Sequence, residues 1–422
     1  MTSAQPVTHG AGTPVGAAGI PAGSAAATAA ALRSISDEIG AMFYERENVV
    51  QALMAAILAG QHSLLLGPPG TGKSALAREL TGRITGAQLW EILLSKFTDP
   101  KQMFGPIDVA ALTQGRYTQM FDGRATQAHI AFMDEIFKCG TGALNATLSL
   151  LNERIYHPEN GAPPIKCPLV SAITASNELG QGEETDAIYD RLLVRLEVDY
   201  LSDHTHFANL IRSVATPAAG AAGPPGRTTV DLASLTEAVR VHVPAVQLGD
   251  NVVDAVCGLR ADLRKAGLIA SDRRWKAAMR LLQARAFLRG SVRASEEDLA
   301  ILTHVLWDVP DQRPTVERQV LQMVNPSLQE ALDLAEAVEE LAATLDSMTG
   351  QSQEALVEWA TKEARGKLSR TGVRLEQMCQ EAAAAGRSTT ELEQMLARCR
   401  AVTSRVLVEC LDIDPAVINR MV

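Results

Sequence analysis

Lys73 and Ser74 close the stretch GPPGTGKS, Gly67 to Ser74, which fits Gly-x4-Gly-Lys-Ser/Thr at every defined position. Those residue types at that spacing suit a phosphate cradle. Gly67, Gly70 and Gly72 allow positive φ and close backbone approach, so successive N–H groups and a helix N-terminus can converge on phosphate oxygens. Pro68, Pro69, Thr71 and Ala75 complete the expected lining, with Lys73 reaching the β- and γ-phosphates. Ser74 offers a hydroxyl to Mg²⁺, which prefers hard oxygen ligands. The bland alternative is a Gly/Pro turn. It is disfavoured by the flanks, because Ser63 to Leu66 reads as a short buried strand and Ala75 to Leu80 as a helix.

Further along, HIAFMDE, His129 to Glu135, is an apolar strand ending in two acids. Carboxylates at the C-terminal end of a strand sit where open α/β sheets bind ligands. Asp134 is placed to hold Mg²⁺, directly or through water, and Glu135 to polarise an attacking water. A strand-terminal acid pair is a weak signal alone and a strong one a strand-helix unit after a complete phosphate loop. SAITASN, Ser171 to Asn177, is a second such strand. Asn177 could position water beside the γ-phosphate, although Asn at a strand end is by default a turn former. In AIYDRLLVRLEVDYL, Ala187 to Leu201, Arg191 and Arg195 fall four apart, on what would be one helical face. They could form salt bridges with Asp190 or Glu197, or present a charge to a neighbouring subunit's nucleotide, where an arginine finger is worth roughly 10³ to 10⁵ in rate. Ser271-Asp272-Arg273-Arg274 has capping residues followed by two arginines that could face a phosphate across a domain cleft.

The elements that must hold these residues follow from the remaining pattern. Leu89 to Leu94 reads as a further strand, and Gly142 to Leu151 as a helix with Leu144, Leu148 and Leu151 on one face. PENGAPP, Pro158 to Pro164, forces a turn before Ile165 to Val170, predicting a β-hairpin. Gly115 to Gly123, GRYTQMFDG, predicts an exposed hairpin or loop whose Tyr117 and Phe121 either cover the core or grip a partner. Residues 1–31 contain no Lys, Arg, Asp or Glu and predict a disordered Ala/Gly/Pro-rich tail, without the features of a signal peptide. A nucleotide-binding α/β core is expected over 32–212, a Pro/Gly/Ala linker over 213–230 and an all-helical domain over 231–309. Residues 310–422 predict a three-helix bundle, in which Ala331, Leu334, Val338, Leu341 and Leu345, and later Leu392, Met395, Cys399, Val402 and Val406, keep 3-4 spacing.

Composition narrows the classes. A chain of 422 residues with 46% hydrophobic content is long enough for two or three domains. Its formal net charge of -10 gives no general attraction to nucleic acid or anionic membrane, and no apolar run could span a bilayer. The six cysteines are scattered without a C-x-x-C pair, which predicts reduced thiols and a cytoplasmic setting. His204 and His206, flanked only by Asp203, make a poor metal site.

Taken together, the phosphate loop, the DE strand, Asn177, AIYDRLLVRL and SDRRW resemble an AAA+ ATPase of the MoxR group. The likeness is greatest to the RavA subfamily, through YERENVV, FGPIDVAAL, GRYTQMFDG, DEIFKCG, LNER, SNEL and SDRRWKAAMRLLQARAFLRG. The resemblance covers roughly Leu32 to Trp307. It implies a parallel five-stranded AAA+ core with a helical lid, assembled as a homohexamer that binds ATP and Mg²⁺. It places Walker A on Gly67 to Ser74, Walker B on Asp134 and Glu135, sensor 1 on Asn177, the arginine finger on Arg191 with Arg195 as a second candidate, and sensor 2 on Arg273 or its neighbour Arg274. The hairpin around Pro158 to Pro164 then corresponds to the pre-sensor-1 insertion, and Phe104 to Gly123 to the helix-2 insertion lining the ring pore. The implied activity is remodelling of a client protein with a von Willebrand A domain partner. The competing expectation is a nucleotide-dependent switch or scaffold that hydrolyses slowly and binds partners through its C-terminal helices. One departure stands out: 311–422 lacks the strand pattern of the β-rich module inserted in RavA.

Overall fold

A computed structural model describes residues 22–158, 161–180, 187–215, 227–324, 326–348, 352–384 and 389–413. The chain divides into two compact units, one of residues 1–247 and 279–293, the other of 248–278 and 294–422.

The first unit is built on a five-stranded parallel sheet of β1 (His62–Leu66), β2 (Leu89–Leu93), β3 (Ile130–Asp134), β4 (Ser171–Ser176) and β5 (Leu192–Glu197), in the spatial order β2-β3-β4-β1-β5. β1 and β4 are buried along their whole length, as strands covered on both faces should be. Leu66 pairs with Ser176 on one side and Glu197 on the other, while Met133 pairs with Thr174, so the carboxyl ends of β3, β4 and β1 lie side by side. Helix Glu47–Leu58 packs on this sheet with nine of its twelve residues buried, which is why its sequence, ENVVQALMAAIL, is apolar on nearly every side.

Several boundaries differ from expectation. The first helix, Ala22–Met42, starts inside the segment expected to be disordered, and Ala29 and Leu32 are buried. AGSAAATAAALRS is rich in the strongest helix former, but what decides the outcome is tertiary: burial of Ala29 and Leu32 outweighs the segment's lack of charge. Residues 1–21 lie outside the described residues. The expected linker is also shorter. Its first residues, to Ala215, end the helix His204–Ala215, and Val230–Asp231 pairs in parallel with Ile84–Thr85. Arg83, only 3% exposed, ties that junction together through Glu38, Glu79 and the Thr228 carbonyl. Residues 216–226 are outside the description.

The hairpin is real but short. Ile155–Tyr156 pairs antiparallel with Ile165–Lys166, two residues each, and part of the PENGAPP turn, at 159 and 160, falls outside the described residues. In GRYTQMFDG the two aromatics separate. Phe121 meets the Tyr156 ring edge-on at 6.2 Å and helps cover the core, whereas Tyr117 is exposed.

All the regular secondary structure among the described residues of the second unit is helical. Asp250–Lys265, the start of Asp272–Arg289 and Arg313–Val324 precede three packed helices: Pro326–Ser347, a run from Gln353 to Ala384 with one π-turn at Ala360–Ala364, and Thr390–Glu409. Arg398 pairs with Glu339 and Arg405 with Asp346, so the first and third helices run the same way. Gln353 reaches Cys410 and Arg400 reaches Glu376, so the middle one runs against them. Their shared core contains the expected apolar residues, with Leu334 and Met395 at its margin.

Candidate functional site

The loop Gly67–Gly72 leaves the carboxyl end of β1, and the helix Lys73–Gly82 begins directly after it. Gly67 is fixed by sterics. It adopts φ 151°, and a Cβ there would stand 2.1 Å from the Val198 carbonyl oxygen, so no larger residue fits without moving the backbone. Gly72, at φ 83°, sets the left-handed turn into the helix.

Lys73 is 93% buried and its Nζ donates to the Gly67 carbonyl at 2.5 Å, the Pro68 carbonyl at 2.8 Å and Asn177 Oδ1 at 3.2 Å. Burial pulls its ammonium below the ordinary lysine value, and the nearby Asp134 and Glu135 carboxylates oppose that by favouring the charged form. Asn177 uses both ends of its amide. Its Nδ2 donates to Glu135 Oε1 at 2.6 Å, and this orientation is the one that satisfies both partners. Residues from three adjacent strand ends thus form one chain, Lys73 to Asn177 to Glu135.

Glu135 adopts φ 55°, uncommon for a residue with a side chain, and its Oε1 also lies 3.1 Å from Lys138 Nζ. Its Oε2 is buried and takes no hydrogen bond among the described residues. Asp134 accepts the Glu135 amide through Oδ1 at 3.0 Å, which leaves Oδ2 for another partner. Ser74 and Asp134 therefore supply hard oxygen donors of the type Mg²⁺ takes.

The two arginines after Asn177 differ. Arg191 sits in the turn before β5, half-buried, donating from Nη1 to the Ala187 carbonyl at 3.0 Å and lying 3.5 Å from Asp190. Its Nε is buried and has no hydrogen-bond partner among the described residues. Arg195 lies within β5, not on a helix, and is fully buried, its guanidinium 3.9 Å from the Tyr189 ring centroid and bonded to the Leu192 and Tyr189 carbonyls. A side chain packed in this way cannot reach a neighbouring molecule, which removes Arg195 as a candidate finger. In the second unit, Ser271 caps Asp272–Arg289 by accepting the Arg274 amide at 3.2 Å. Arg274 is buried against Asp308 at 2.8 Å, whereas Arg273 is exposed on the first turn.

A feature that escaped the sequence reading is a cavity of about 460 Å³ beside the loop, between Gly70–Gly72 and the side chains of Phe43, Tyr44, Tyr200, Leu201 and Phe207. Two segments distant in sequence form its walls, held together by Glu45. Its carboxylate accepts the Ser202 and Asp203 amides at 3.0 and 2.9 Å and the Ser202 hydroxyl at 2.9 Å, and those backbone bonds pull its pKa down to about 2. Next to it, His206 stacks on Tyr44 with centroids 5.3 Å apart, while His204 is exposed at the start of its helix. The sequence signal was YERE before the loop; its partner, DYLSDH, carries none by itself.

Residues 30–217 match a family described as the MoxR domain in the MoxR-vWA-beta-propeller ternary systems, and residues 251–320 match an AAA lid domain. Two uncharacterized proteins of Methanocaldococcus jannaschii are each 33% identical, over 74% of this chain and 80% and 79% of their own lengths. The crystal structure of a candidate ATPase from Cytophaga hutchinsonii superposes with a TM-score of 0.58 at 17% identity, over 72% of this chain and 97% of that one, and so shares the fold. Among the described residues no helix is long and apolar enough to cross a membrane.

Proposed function

The chain belongs to the MoxR group of AAA+ ATPases, and from that membership we propose that it is a RavA-like, Mg²⁺-dependent remodelling ATPase working as a homohexameric ring. The observation that carries this reading is the Lys73–Asn177–Glu135 chain at the ends of adjacent strands. The loop amides and Lys73 take the β- and γ-phosphates, and the cavity walled by Tyr44 and Tyr200 takes the base. Glu135, its Oε1 held by Asn177, turns Oε2 to the water that attacks the γ-phosphate. Ser74 and Asp134 would hold Mg²⁺, which when bound neutralises charge developing on the phosphate oxygens. Asn177 registers the γ-phosphate through Lys73 and sets the angle of Glu135.

Arg191 acts as the finger on a neighbouring subunit's nucleotide, and Arg273 as the lid's sensor. The family description names systems with von Willebrand A and β-propeller components, and a von Willebrand A protein is the partner we assign. The exposed Tyr117 segment meets the client. A nucleotide-timed scaffold is the second reading, favoured by the self-contained core of the C-terminal bundle, which could serve as a docking module.

Mixing variants tests the ring. Arg191→Ala and Glu135→Gln proteins should each bind ATP without hydrolysing it, and an equimolar mixture should recover part of the turnover. Absence of recovery would refute a finger acting between subunits. Turnover that persists while Tyr117→Ala leaves every client assay unchanged would favour the scaffold.

A further inference from the structure

At the opposite ends of the strands from the phosphate loop lies a second cavity, of about 630 Å³, bounded by Gly60 before β1, His129 before β3 and Val170 before β4. Its charged lining is of one sign. Arg154, Lys166 and Arg240 are cationic, and no Asp or Glu contributes to the wall, in a chain whose formal net charge is -10.

Arg154 is fixed by the backbone around it. It follows the helix Thr141–Glu153 in the left-handed conformation, φ 55°. Its Nε donates to the Leu169 carbonyl at 2.8 Å and its Nη2 to the Gly60 carbonyl at 2.7 Å. The guanidinium is thereby fixed before any ligand arrives, which removes part of the entropic cost of binding. Capping of strand-end carbonyls would account for Arg154 alone. It does not account for Lys166 and Arg240, which make no ion pair or side-chain hydrogen bond among the described residues yet border the same space. His129 accepts the Gln88 amide at Nδ1, at 3.1 Å, so its neutral ring carries the proton on Nε2 as a further donor. Val170, Leu232 and Val239 supply an apolar floor.

We propose that this cavity is a second ligand site, distinct from the ATP site, for a small phosphorylated organic molecule. Three permanent cations match a multiply charged phosphate head: Arg240 offers the planar guanidinium fork that suits phosphate oxygens, and Arg154, with Nε and Nη2 already on carbonyls, adds its charge and Nη1. A single carboxylate would leave most of that charge uncompensated. The apolar floor takes the body of the ligand, and the volume lies within the range of small-molecule sites, about 300–1,000 Å³. The assignment stands apart from the hydrolytic reading, because none of these side chains touches the phosphate loop.

The test is calorimetric titration of the full chain, its ATP site saturated with Mg·ADP, using phenyl phosphate, inorganic phosphate and benzoate as probes. Phenyl phosphate should bind once per chain, at least tenfold more tightly than benzoate, with inorganic phosphate between them. The double variant Lys166→Ala/Arg240→Ala changes two exposed side chains, so it should fold and keep wild-type ATP turnover while losing at least tenfold in phenyl phosphate affinity. No binding of phenyl phosphate would overturn the proposal. So would binding equal to that of benzoate, binding unchanged in the double variant, or binding that disappears instead with Lys73→Ala.

Discussion

Replacing Asn177 isolates the contact on which the hydrolytic reading depends. Asn177→Ala removes a 2.6 Å bond from Nδ2 to Glu135 Oε1 and a 3.2 Å bond from Lys73 Nζ. A hydrogen bond to a charged group contributes about 1.5–3 kcal/mol. Lys73 keeps the Gly67 and Pro68 carbonyls, so the loop holds its shape and the KM for ATP should move little. Among the described residues Glu135 keeps Lys138 alone on Oε1, and that partner is 45% exposed. The loss should therefore fall on the orientation of Oε2 during attack. At 1.36 kcal/mol per factor of ten, kcat should drop about 10- to 150-fold. Asn177→Asp asks more. It sets a carboxylate against a carboxylate, disfavours ionisation of both, and should move the acid limb of the kcat profile to higher pH. Steady-state ATP hydrolysis against ATP concentration and pH, at fixed protein concentration and with melting curves to confirm folding, measures both effects. A kcat for Asn177→Ala within threefold of wild type, or a loss expressed wholly in KM, would refute the role given to Asn177.

Three other outcomes follow from burial and backbone geometry. Gly67→Ala drives a methyl into the Val198 carbonyl and should abolish ATP binding, with a lowered melting temperature; wild-type ATP affinity would show that the loop does not need that close approach. Arg195→Ala should cost about 2–4 kcal/mol of stability by emptying a buried site and orphaning carbonyls, read as a lower urea midpoint; a normally stable variant deficient only in turnover would reinstate Arg195 as a finger. His62 is fully buried with Nδ1 accepting the Ala172 amide and Nε2 facing the Leu151 carbonyl, and burial, aided by the Arg154 charge, lowers its pKa from 6.5 to about 4. The folded state therefore resists protonation that the unfolded chain accepts, so stability is full above about pH 6.5 and falls toward pH 4, by about 2 kcal/mol between pH 7 and pH 5. The urea midpoint should show that slope in wild type and much less of it in His62→Gln; equal slopes would refute the assignment.

How much of this could be read from the sequence depends on the range of the interactions concerned. Gly67 to Ser74, the acid-terminated strand ending at Asp134 and the strand ending at Ser176 were all readable, because local patterns set them. A glycine-rich loop needs particular φ values, and a strand buried on both faces needs a continuous apolar run. The 3-4 spacing of the C-terminal helices specified their core in the same way, since each helix must bury one stripe. Tertiary structure decided the rest. Helix formation from Ala22 depended on a surface to bury Ala29 and Leu32, which no local pattern announces. Arg191 and Arg195 look alike in sequence, but β5 turns the second inward, under Tyr189, and leaves the first in a turn. The cavity beside the phosphate loop joins Tyr44 to Tyr200 across more than 150 positions of sequence through Glu45, and the cationic cavity gathers His129, Arg154, Lys166 and Arg240 from four separate segments. Contacts of that separation are fixed by the order in which strands lie side by side, and neither the composition nor the periodicity of any one segment contains that order.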